Sequence, residues 1–127
     1  MSLLNLNFDD VYDPETLPQG TEVQLRIAKA EDHESKAGNP STHVIFEDPS
    51  NEKVDEIHHY FSTPTGDTEP KVANRMLASY RAFYKCFGID NAPDLDIDTF
   101  MGLTGYCIVN EEETPEYGKK NTIKTFL

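Results

Sequence analysis

The sequence predicts a mostly-β domain, a five-stranded Greek-key barrel with one helix between strands three and four. Three observations carry that expectation. Apolar and polar residues alternate with a period of two in the first half, one apolar stripe at helical spacing follows, and short period-two segments return after it. At 127 residues the chain has room for one core, and seven Phe and six Tyr supply much of the material to fill it.

Residues 1–17 hold Asp9, Asp10, Asp13 and Glu15 without a basic residue. Pro14 and Pro18 forbid a continuous helix there, so the segment reads as an extended acidic lead-in to a single domain at 18–127. From Thr21, Val23, Leu25 and Ile27 alternate with Glu22, Gln24 and Arg26, which predicts strand one to about residue 30. Ser35-Lys36-Ala37-Gly38-Asn39-Pro40 is loop chemistry. Residues 43–48 form strand two, with Val44 and Phe46 on one face and Ile45 on the other. Pro49-Ser50-Asn51-Glu52 reads as a tight hairpin turn, and residues 54–63 as strand three.

The period then changes. Val72, Met76, Tyr80, Phe83 and Phe87 lay one stripe along a helix over 71–87, with Pro70 in the first turn and Gly88 as C-cap. Residues 92–99 are a Pro- and Asp-rich connection, and 98–103 a short helical turn. Residues 106–110 form strand four. The polar stretch 111–120 is a loop or the tip of a β-ribbon, and 121–127 closes the chain as strand five. This element order is that of the OB-fold, although a half-open sandwich or an α+β roll shares it.

Eleven basic residues against 23 acidic ones give a formal charge of −12, which by composition alone weighs against a nucleic-acid ligand. The distribution is segregated, however. The helix carries Lys71, Arg75, Arg81 and Lys85 and no acid, and residues 118–127 carry Lys119, Lys120 and Lys124 and no acid. A basic stripe within an acidic whole can still track a phosphate backbone.

In an OB-fold the oligonucleotide crosses strands two and three and is clasped by the loops between strands one and two and between strands four and five. Those loops map to 31–42, with Lys36, Gly38 and Asn39, and to 111–120, with Tyr117, Lys119 and Lys120. On strand three, Ile57 shares a face with His59 and Phe61, so His58 and Tyr60 point outward. The expected DNA-binding set is therefore Arg26, Lys36, Lys119, Lys120 and Lys124 for phosphates, with His58, Tyr60 and Tyr117 on the ligand side. Tyr60 and Tyr117 are the stacking rings.

Other chemistry is missing. No P-loop, GxGxxG, HExxH, GxSxG or EF-hand pattern occurs, so the expectation is a non-enzyme without cofactor or metal. His58 and His59 face opposite ways, and His33 and His43 flank a loop. Cys86 and Cys107 show neither zinc nor disulfide spacing and read as reduced, buried thiols. The start lacks a signal-peptide pattern and no apolar run spans a bilayer, so the expectation is a cytoplasmic protein with no membrane partner.

Several segments together resemble a family of short phage-encoded single-stranded DNA-binding proteins with an OB-fold core. They are Leu17-Pro18-Gln19-Gly20, the AEDHESKAGN run at 30–39, FYKCFGI at 83–89, GLTGYC at 102–107 and YGKKNTIKTFL at 117–127. The resemblance implies sequence-tolerant binding of single-stranded DNA in phage replication or recombination, in the cytoplasm of the bacterial host, with phage or host replication proteins as further partners. Many relatives recruit such partners through an acidic C-terminal tail; here the acidic lead-in is the candidate for that role. Edge strands offer a route to a homo-oligomer. The alternative from another class is an acidic protein-interaction module on the same fold, a phage inhibitor, DNA mimic or adaptor.

Overall fold

The computed structural model describes residues 5–116 and 118–127. Five strands and one α-helix follow in the expected order: β1 (Glu22–Glu34), β2 (Pro40–Glu47), β3 (Ile57–Ser62), α1 (Pro70–Phe87), a short 3-10 helix (Ile97–Phe100), β4 (Thr104–Thr114) and β5 (Gly118–Phe126). The strands form one antiparallel sheet in the order β3-β2-β1-β4-β5. No ladder joins β3 to β5, so among the described residues the sheet is not closed.

Aromatic packing brings the two edge strands together. Phe126 of β5 lies 5.7 Å from Phe61 and 5.7 Å from His59 of β3, ring centroid to ring centroid. It also meets Phe46, Phe83 and Phe87 at 5.5 to 6.2 Å. The remaining core comes from the inward positions of each strand, Leu25 and Ile27, Val44 and Phe46, Ile57 and Phe61, and Cys107 and Val109, all buried. Burial of each such side chain contributes roughly 1.5 to 3 kcal/mol.

The helix covers this core at its C-terminal end, where Phe83 and Phe87 are buried. Its middle is anchored by the Tyr80 hydroxyl, which bonds the Phe61 carbonyl at 3.0 Å and meets the hydroxyls of Thr63 at 2.6 Å and Thr42 at 3.0 Å. Gly88 ends the helix in the left-handed conformation that a glycine adopts without strain, its N–H donating to the Tyr84 carbonyl.

Several boundaries differ from the sequence expectation, each for a physical reason. β1 runs to Glu34 and β2 starts at Pro40, because polar residues 31–34 pair across to 40–43; the expected loop 31–42 shrinks to 35–39. β4 and β5 likewise extend as a ribbon, with Glu112 opposite Lys120 and Glu113 opposite Lys119. Those opposite charges offset a polar stretch with little apolar burial. β3 is shorter than 54–63, since Val54 pairs instead with Glu15 of the lead-in. The β2–β3 connection is no tight hairpin: Asn51 donates to the Asp48 carbonyl and Val54 to the Asn51 carbonyl, two successive turns.

Part of the lead-in is strapped to the domain. Glu15 exchanges backbone bonds with Lys53 and Asp55 at 2.8 and 2.9 Å, and Leu17 is held by the Asn121 side chain.

Candidate functional site

The outer face of β1, β2 and β3 carries a run of rings that the register dictates. Glu31, His43 and Tyr60 face one another across three strands, in one transverse row. His58 lies opposite Ile45 in the next row, and His33 opposite Ser41 on the other side. Because side chains alternate along a strand, these residues share the face opposite Val44, Phe46, Ile57 and Phe61. The rings touch in sequence: His33 to Tyr60 at 5.1 Å, Tyr60 to His43 at 4.3 Å and 5° from parallel, and His43 to His58 at 5.0 Å. Tyr60 is 52% exposed and His43 is buried beneath its neighbours.

Hydrogen bonds fix how the inner rings stand. His43 Nδ1 lies 3.3 Å from a Glu31 carboxylate oxygen, and His43 Nε2 lies 2.8 Å from His58 Nδ1. The carboxylate only accepts, so His43 Nδ1 donates. In neutral His43 the Nε2 atom is then an acceptor, and His58 Nδ1 must donate to it. The bond from His43, and then the bond and charge of Lys29, hold the Glu31 carboxyl below its ordinary value, so it is ionised at neutral pH. His59, on the inner face, is pushed down by burial and belongs to the core.

Beside Tyr60 opens a groove of about 430 Å³ lined by His33, Ser35, Lys36, Asn39, Pro40, Ser41, Tyr60 and Ser62. Three predicted site residues thus meet on one face: Lys36 and Tyr60 line the groove, and His58 continues the ring run.

The others lie apart. Arg26 is on the same sheet face but is bonded to Glu47 at 2.7 Å, in a second groove with Tyr12, Asp48, Glu52, Asp55 and Glu56 around it. Lys119 pairs with Glu111 at 3.7 Å. Lys120 and Lys124 are exposed on β5 and make no ion pair among the described residues. Among the described residues the β5 backbone runs close to β4, β3 and α1 but not to β1 or β2, which it reaches through the Phe126 ring against Phe46. Lys119 and Lys120 stand six or seven residues from Phe126, roughly 20 Å along the strand. Tyr117 lies outside the described residues.

Sequence reasoning missed His33, His43 and Glu31 as members of the face. The signal for His43 was present, since it stands two residues before outward Ile45. His33 and Glu31 were hidden because they follow a register shift between Ile27 and Lys29. Among the described residues no group of three or more His, Cys, Asp or Glu is arranged to hold a metal ion. Both cysteines are free thiols; burial pushes them up, Cys107 strongly, which disfavours the nucleophilic thiolate at neutral pH. No helix among the described residues is long and apolar enough to cross a membrane.

No protein-family model matches the chain, and neither does any curated protein.

Proposed function

We propose that the chain is a non-catalytic, sequence-tolerant binder of single-stranded DNA whose ligand crosses the outer face of β2 and β3, acting in phage DNA replication or recombination. The observation that carries this reading is the contiguous ring run His33, Tyr60, His43, His58 beside the Lys36 groove. Every base has a π-face, so exposed rings beside a cation suit bases of any sequence. The strand order agrees with a five-stranded OB-type Greek-key barrel opened between β3 and β5, with its helix between β3 and β4. The phage setting rests on the resemblance of the sequence segments alone.

In this reading bases stack on Tyr60 and the exposed imidazoles of His33 and His58 while Lys36 meets a phosphate. Lys120 and Lys124 are available to a longer strand. Arg26 and Lys119 are already paired with carboxylates and contribute less.

The test is fluorescence anisotropy of a labelled thymidine 30-mer at about 50 and 200 mM salt, with duplex competitor. The expected result is saturable, salt-weakened binding that duplex does not compete. Tyr60→Ala then loses about 1 to 3 kcal/mol with an unchanged salt slope, and Lys36→Gln flattens that slope by about 0.7. Absence of binding at the lower salt overturns the reading.

One observation favours an acidic protein-interaction module instead. The groove around Arg26, about 440 Å³, is lined by Glu47, Asp48, Glu52, Asp55 and Glu56 and suits a basic peptide. Saturable binding of an oligolysine or oligoarginine peptide, with no binding of DNA, is the outcome that selects it.

A further inference from the structure

A second surface is independent of the ring face and of its ligand. Leu77, Tyr80 and Tyr84 of α1, with Ile89 just beyond its end, form an apolar groove of about 510 Å³ that Arg81, Lys85 and Asn91 also line. No lining residue is acidic, and neither Arg81 nor Lys85 makes an ion pair among the described residues. Leu77 is 55% exposed.

The lead-in presents the complement. Val11 donates to the Phe8 carbonyl at 3.2 Å, so residues 8–11 make a turn with Asp9 and Asp10 at its corner and Phe8 and Val11 at its base. Leu6, Phe8 and Val11 are 63, 70 and 68% exposed. The Tyr12 hydroxyl donates to the Glu52 carbonyl at 3.4 Å and Glu15 pairs with Val54, so this apolar, acidic turn is held out from the β2–β3 connection. None of its residues lines the α1 groove of its own chain.

We propose that the lead-in turn of one copy docks in the α1 groove of a second copy. Phe8 and Val11 cover Leu77, Tyr80 and Tyr84, while Asp9 and Asp10 meet Arg81 and Lys85. The two surfaces differ, so the contact is heterologous and either closes into a ring or runs on as an open chain. Charge complementarity selects this occupant: four cations and no acid on α1 face a segment with Asp9, Asp10, Asp13 and Glu15 and no cation.

The test is sedimentation velocity of the full chain, without DNA, from about 10 to 200 µM. The wild type is expected to associate with concentration. A lead-in variant, Phe8→Ser with Val11→Ser, and a groove variant, Arg81→Glu with Lys85→Glu, are each expected to stay monomeric. All four positions are solvent-exposed, so both variants keep the core. Leu77→Ser serves as a groove variant that leaves the charges intact and is expected to behave like the charge reversal. Mixed one to one, the lead-in and groove variants are expected to form a dimer and nothing longer, because the pair holds one intact turn and one intact groove. A monomeric wild type at the highest concentration, a variant that associates like the wild type, or a mixture that stays monomeric overturns the proposal.

Discussion

The carboxamide of Asn121 serves Leu17 as a strand partner would. Its Oδ1 accepts from the Leu17 N–H at 2.8 Å and its Nδ2 donates to the Leu17 carbonyl at 2.8 Å, with a further bond to the Asn110 carbonyl at 3.1 Å. Asn121 is 7% exposed, so its removal leaves these backbone groups poorly solvated. Asn121→Ala is expected to cost about 2 to 4 kcal/mol in urea unfolding, and to raise hydrogen exchange at the Leu17 amide. A cost under about 0.5 kcal/mol would mean that water replaces the side chain at both bonds.

The Glu31, His43 and His58 chain allows one arrangement of protons in the neutral rings, with Nδ1–H on both. Imidazole nitrogen-15 shifts near pH 7 are expected to report that tautomer for His43 and His58. Glu31→Gln replaces an obligate acceptor by a group that can also donate, and is expected to give His43 a mixture of tautomers. The Glu31 acceptor persists in mild acid. A carboxyl held below its ordinary 4.5 contributes fully above that value, and its contribution is lost as pH falls through the lowered one. Finding Nε2–H on His43 in the wild type would refute the chain as drawn.

The element order and the inner faces were legible in the sequence because burial writes a period. Val44 with Phe46, and Ile57 with Phe61, alternate as a half-buried sheet demands, and the α1 stripe ends on buried Phe83 and Phe87. The ring face was legible only at His58 and Tyr60. Residues 31–34 and 111–114 carry hydrogen-bonded ladder with little apolar burial, so nothing in their side chains distinguishes strand from loop. A register shift then displaces the alternation in β1, which concealed His33 and Glu31. The ion pairs that engage Arg26 and Lys119 join residues 21 and 8 positions apart, beyond the reach of local pattern.

His59 makes a separate prediction for stability against pH. Packed 4.4 Å from Phe61 and 5.7 Å from Phe126, it is depressed by burial from its ordinary 6.5. The unfolded chain therefore binds this proton at a higher pH than the folded one. Stability is unaffected by it above about 6.5 and falls as pH drops from there toward the lowered value. The slope is at most about 1.4 kcal/mol per pH unit, that of one proton. Urea unfolding of wild type and His59→Gln from pH 7.5 to 4.5 is expected to show the wild type losing more stability across this window. Parallel curves would assign the acid sensitivity elsewhere.

Gly105 sets how closely α1 approaches the sheet. A methyl group there would lie 2.8 Å from Cys86 Sγ, 2.9 Å from the Cys86 carbonyl oxygen and 3.1 Å from the Phe87 ring. The first atom can be removed by substitution, but the second is helix backbone. Gly105→Ala is expected to destabilise by about 1 to 3 kcal/mol as an overpacking change. Adding Cys86→Ala relieves the sulfur clash at the expense of its contact with the Tyr106 carbonyl at 3.1 Å, and leaves the oxygen in place. The double variant is therefore expected to regain only part of the loss. Complete rescue would show that the sulfur alone holds the helix to its position, and that the backbone approach is free to relax.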